Sequence, residues 1–155
     1  MKSWTLALML LWAGAAHAYG GDAAVGAITA SHAWARATPM SAKTGVIYLT
    51  LGNSGAGHDE LVTASTPVAG SVEVHASMND GGIMKMNEVM NLDLPPKAVV
   101  VLEPSATHLM LLNLTRRLAE GDRFPLTLTF QHAGAVSVDV VVGKVGAMTD
   151  PAGGG

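Results

Sequence analysis

The chain has 155 residues, a formal net charge of −3, only 5% aromatic residues and no cysteine. The mild acidity argues against nucleic acid as a partner. The missing cysteine excludes disulfide staples, thiol nucleophiles, Cys-based zinc sites and the thiolate-bound blue-copper arrangement.

The first 18 residues read as an address. Lys2 gives a positive start, Trp4 to Ala16 is an apolar run, and Ala16-His17-Ala18 is a small-x-small cleavage site. That order is a secretory signal peptide, cut near Ala18. The run is shorter than the ~20 apolar residues of a membrane span, and without cysteine there is no lipid-anchor site at the cut. The expectation is an exported, periplasmic chain with no membrane anchor. Residues 19–27 are rich in Gly and Ala and are expected to be a flexible segment. Residues 28–143 are then one domain, large enough to bury a core.

Within that domain, period-two patterns dominate. Gly45 to Leu51, Ser71 to His75, Val99 to Leu102, His108 to Leu112, Pro125 to Phe130 and Val136 to Val142 read as strands. Turn signals separate them at Asn53-Ser54-Gly55, Ala69-Gly70, Asp80-Gly81-Gly82, Pro95-Pro96, Glu103-Pro104-Ser105, Gly121-Asp122 and Ala133-Gly134. Leu114 to Glu120 is the one stretch expected to form a helical turn. Many short strands at this spacing predict an all-β, antiparallel sandwich or barrel. Residues 144–155 end in Pro151-Ala-Gly-Gly-Gly and are expected to be a disordered tail.

Methionine is over-represented and clustered. Met78, Met84, Met86, Met90 and Met110 lie in one stretch. In His108-Leu109-Met110, strand geometry points His108 and Met110 to one face and Leu109 to the other. Upstream, Asp80-Gly81 is a hairpin signal. A turn centred there sets His75 directly opposite Met86, with Cβ atoms ~5 Å apart. Met84 shares that face nearer the turn, and Met78 points away. Two imidazoles and two thioethers are a borderline-to-soft set that favours copper(I) over zinc, magnesium or calcium. Thioethers also cannot be lost to disulfides in an oxidising compartment. Taken singly, each of these residues is better read as core filler or a surface histidine. On spacing alone, the metal reading and the incidental reading stand level.

His75, Met86 and His108-x-Met110 at these separations resemble the signature of the PCu(A)C family of periplasmic copper chaperones. So do Ala33-Trp34-Ala35-Arg36-Ala37-Thr38-Pro39, Ala64-Ser65-Thr66-Pro67-Val68-Ala69-Gly70, Asp80 to Met86, His108 to Leu112 and Gly121 to Phe130. The resemblance covers roughly residues 28–142. It implies a cupredoxin-like Greek-key β-sandwich holding one copper(I) per chain through His75, Met86, His108 and Met110. It also implies delivery towards the Cu(A) centre of cytochrome c oxidase, alongside a Sco-type thioredoxin-like partner. The tail offers only Met148, so a second, tail-borne copper(II) site of the kind some family members carry is not expected here.

Other readings compete with this one. An exported copper-storage or resistance protein would need the same ligands. A plain sandwich adhesion module would make them incidental. A metalloenzyme would use His75 and His108 with Glu73 or Glu88 as a zinc site, but the predicted register sets Glu88 off from His75. No His-Glu-x-x-His or Gly-x-Ser-x-Gly motif is present, so the chain is read as a carrier rather than an enzyme. Cleavage after Ala16 would instead expose His17 as an N-terminal ligand. Trp34 and Arg36 share a face and read as edge-strand packing. Met78 and Met84 read as an apolar rim, and Arg116-Arg117 as a solvated turn. His32, His58 and His132 read as surface, and Met40 as a loop residue.

Overall fold

A computed structural model describes residues 21–153, so the leader and its cleavage site lie outside the described residues. Eleven strands follow in order: β1 Ala23–Val25, β2 Ile28–Arg36, β3 Thr44–Asn53, β4 Asp59–Ser65, β5 Ala69–Asp80, β6 Ile83–Val89, β7 Leu92–Leu94, β8 Val99–Leu102, β9 His108–Leu114, β10 Arg123–Phe130 and β11 Gly134–Gly143. Their order in the sheet is β6-β5-β9-β3-β2-β11-β10-β4-β7, with β1 added on β2 and β8 on β3. Every pairing is antiparallel except β11 with β2. The strands form an all-β fold, as expected; β9 lies between β5 and β3 and pairs with the first half of β3, while β8 pairs with its second half.

One core holds both halves of the sheet together. Alternation sends Ile47, Leu49 and Leu51 of β3 and Leu109 and Leu111 of β9 inward. Leu126 and Leu128 of β10 and Val138, Val140 and Val142 of β11 meet them in the same cluster. Strands remote in the sheet order therefore share one interior, so the sheet curls back on itself. Each of these side chains contributes ~1.5–3 kcal/mol by leaving water. This aliphatic interior is what lets a chain without disulfides fold.

Three of the strand and turn expectations need correction here. Residues 114–120 form no helix. Their backbone bonds run sideways: Thr38 N donates to Leu118 O, Leu118 N donates to Thr38 Oγ1, and Asp122 accepts from Ala119 N. Ala69-Gly70 opens β5 rather than a turn. A Cβ on Gly70 would stand 3.1 Å from Asn113 Cβ, so this glycine serves close strand approach. Trp34 and Arg36 sit on an interior strand, because β2 is flanked by β3 and β11.

Of the two ends, the described residues 21–27 and 144–153 make contacts with the domain. Ala23 to Val25 pair with Ile28 to Ala30. Arg36 Nε donates to Ala147 O at 2.7 Å, His32 meets Asp150, and Pro151 lies over Gly143. The tail's own composition offers few anchors, and β2 supplies them.

Candidate metal centre

The strands β6, β5 and β9 lie side by side at one end of the sheet order. In β9, Leu109 is fully buried and fixes the strand, so His108 and Met110 must face the other way. In β5, Val74 is buried in the core, which turns Glu73 and His75 to that same outer face. The β5–β9 register sets His75 directly opposite His108 and Glu73 directly opposite Met110. The two imidazole centroids stand 5.8 Å apart. Three of the four expected ligands, His75, His108 and Met110, are thus brought together by two adjacent strands.

The fourth is placed differently from expectation. The hairpin turns on Gly81-Gly82, not on Asp80-Gly81, and Asp80 pairs with Ile83. Both glycines have positive φ, +63° and +91°. A two-residue hairpin turn of this kind needs positive φ at both central positions, which Gly-Gly meets without steric cost. Asn79 Oδ1 accepts Gly82 N at 2.8 Å and braces the turn. Met86 consequently opposes Ser77, and Glu88 opposes His75. The displacement is two residues, so Met86 stays on the face of His75, one step nearer the hairpin tip. Met84 shares this face, and Met78 lies on the other, paired with Lys85.

Burial and hydrogen bonds differ across the group. His108 is 9% exposed and Met86 49%. His108 Nδ1 lies 3.1 Å from Ala106 O, and donation there leaves Nε2 as the free nitrogen. His75 Nε2 lies 2.9 Å from Glu73 Oε2. Tyr48 presents its ring to His108 in an edge arrangement at 6.3 Å and packs on Trp34 at 4.6 Å. The Arg36 guanidinium lies over the same Tyr48 ring at 5.4 Å. Burial pushes the Tyr48 phenol above its ordinary value against the opposing pull of Arg36, so it stays protonated near neutrality. Tyr48 was missed as part of this wall, although the alternation of Gly45 to Leu51 already separates it from the core face.

Away from this face, His58, Glu60 and Asp93 bring one ligand atom each within 4.8 Å of one another. Glu60 of β4 pairs with Asp93 of β7, while His58 just precedes β4. Neither strand was legible, so the grouping was not foreseen. His58 is hydrogen-bonded to Asp93, and Asn91 Nδ2 donates to Glu60 at 2.9 Å. His32 and His132 are exposed, as expected, and so is Met40. Arg116 is a solvent-facing residue paired with Asp122 at 2.8 Å.

Residues 28–142 match the model of the LpqE-like lipoprotein family. A protein of Leifsonia xyli subsp. xyli named as lipoprotein Lxx21020 is 28% identical over 118 residues, which is 74% of this chain and 69% of that protein. The copper-bound PCuAC domain from PmoF2 superposes with a TM-score of 0.70 at 26% identity, covering 79% of this chain and 97% of that one. The copper(I)-bound form of DR1885 from Deinococcus radiodurans gives 0.61 at 28% identity, covering 79% and 80%.

Proposed function

The chain belongs to the LpqE-like family, the family of PCuAC domains, and from that premise we propose that it is an exported copper chaperone and not an enzyme. It holds one copper(I) with His75, Met86, His108 and Met110 and passes it towards the Cu(A) centre of cytochrome c oxidase, directly or through a Sco-type thioredoxin-like partner. The observation that carries this reading is the direct opposition of His75 and His108, with Met110 next on the same face. Solved relatives named as copper-bound and copper(I)-bound support it. A family of lipoprotein-named members supports export.

The donors suit the cargo. Thioethers and imidazoles are neutral and prefer a soft monovalent ion. Leu109 anchors His108 and Met110 to the core, and Ala106 O fixes the tautomer of His108. Met86, on the edge strand β6, is the most open of the four. It is the ligand that a receiving protein reaches first, so exchange begins at that side. The buried Tyr48–Trp34 wall closes the opposite side against water.

X-ray absorption on the copper(I)-loaded protein tests the ligand set. It should report two sulfur and two nitrogen scatterers and one ion per chain; a shell without sulfur overturns the assignment. The delivery step is tested by deleting the gene. Oxidase activity should fall and return when copper is added to the medium, whereas full activity in low copper would refute delivery.

A further inference from the structure

The ligand face carries more than the four soft-to-borderline donors. Glu73 is the registered partner of Met110, and Glu88 is the registered partner of His75. Glu73 and His75 share a face of β5, and Met86 and Glu88 share a face of β6. Around the two imidazoles the register therefore places two thioethers and two carboxylates. In β6 and across β5–β9, each thioether has a carboxylate as its immediate neighbour on that face.

We infer that the histidine pair serves two overlapping ligand sets: with Met86 and Met110 for copper(I), and with Glu73 and Glu88 for copper(II). This rests on the copper reading above and extends it to the oxidised ion. The chemistry follows from ligand hardness. Copper(II) favours nitrogen and anionic oxygen over neutral thioether. Two carboxylates also balance its double charge, which four neutral ligands cannot.

The register supports the exchange, with the carboxylates brought in by side-chain rotation, since among the described residues the only three His or carboxylate side chains already within 4.8 Å of one another are His58, Glu60 and Asp93. Metal–nitrogen and metal–oxygen bonds are about 2.0–2.2 Å, so two donors at a right angle on one ion stand about 3 Å apart. Glu73 Oε2 and His75 Nε2 are 2.9 Å apart, the spacing of neighbouring ligands. His108 keeps Nε2 free because its Nδ1 is engaged by Ala106 O. Glu88 is exposed on β6 and free to swing towards its partner His75. No electron is supplied or taken by the chain. The face accepts whichever oxidation state arrives.

The test is a double dissociation, using silver(I) as a redox-inert probe of the soft set and copper(II) as the probe of the other. Both are titrated into wild type, Glu73→Gln/Glu88→Gln and Met86→Leu/Met110→Leu. The Gln pair should weaken copper(II) by at least about tenfold and remove the oxygen-ligated paramagnetic resonance signal, with silver(I) affinity held within about threefold. The Leu pair should do the reverse. Retained silver(I) binding also certifies that the Gln variant is folded. Unchanged copper(II) binding in the Gln pair, or copper(II) lost only when His58→Ala is introduced, overturns the second ligand set and leaves the copper(I) reading standing. Wild type that binds neither ion sinks both.

Discussion

The two ends of the sheet make an instructive pair. At one end β6 and β5 carry His75 with Glu73 two residues before it and Glu88 across from it. At the other, next to the edge strand β7, His58 stands two residues before Glu60, which has Asp93 across from it. Both groupings arise from the same rule, that alternate residues and registered partners share a face. They differ in what accompanies them. The first adds a second, nearly buried histidine and two thioethers; the second adds Asn91 and solvent. At the far end the polar groups already satisfy one another, His58 with Asp93 and Glu60 with Asn91. Strands assemble His–carboxylate clusters readily. A selective soft site needs aligned sulfur and a buried anchor as well.

The largest expected effect is on that sulfur. Met86→Leu/Met110→Leu keeps volume and should weaken copper(I) by about 10–100-fold or more, measured by competition with a chelator of known affinity. Affinity unchanged from wild type would erase the distinction between the two ends. Next comes Asp59, which anchors the opposite end. Burial alone would raise its carboxyl, but the amides of His132, Glu60 and Ala133 hold it below the ordinary 3.8. Asp59→Asn deprives one of these amides of an acceptor and should cost about 1–3 kcal/mol, read by chemical denaturation near neutrality. A depressed folded pKa stabilises above the unfolded value and is lost as pH falls through the folded one. The gap between wild type and variant should therefore hold above about pH 4 and close below it. The smallest effect is expected from His58→Ala/Asp93→Asn, which should leave copper(I) affinity at the wild-type value in the same competition assay.

Much of the candidate ligand face was legible because strand parity is local. His108-Leu109-Met110 needs only an alternating pattern, and the core position of Leu109 confirms it. The hairpin shows where locality ends. Asp80-Gly81 and Gly81-Gly82 are both plausible turn centres from composition, and the choice depends on φ at two glycines. The error was an even number of residues, so it moved partners without moving faces. The tail and the strand β4 were harder. Nothing in Lys144 to Pro151 announces its docking, which depends on Arg36 and His32 more than a hundred residues away in sequence. Asp59 to Ser65 carries few large apolar residues, and its pairing with β10 contains a bulge.

The Gly81-Gly82 turn acts as a reading frame for the ligand face. Inserting one residue there would rotate β6 by half a period and present Ile83, Lys85 and Asn87 where Met84, Met86 and Glu88 now stand. A cation and an amide would then face the two histidines, although no ligand had been mutated. Inserting two residues would restore the frame and merely slide the methionines along it. With the proposed ligands, the metal preference of the domain would thus be written partly in the parity of a loop that touches no metal.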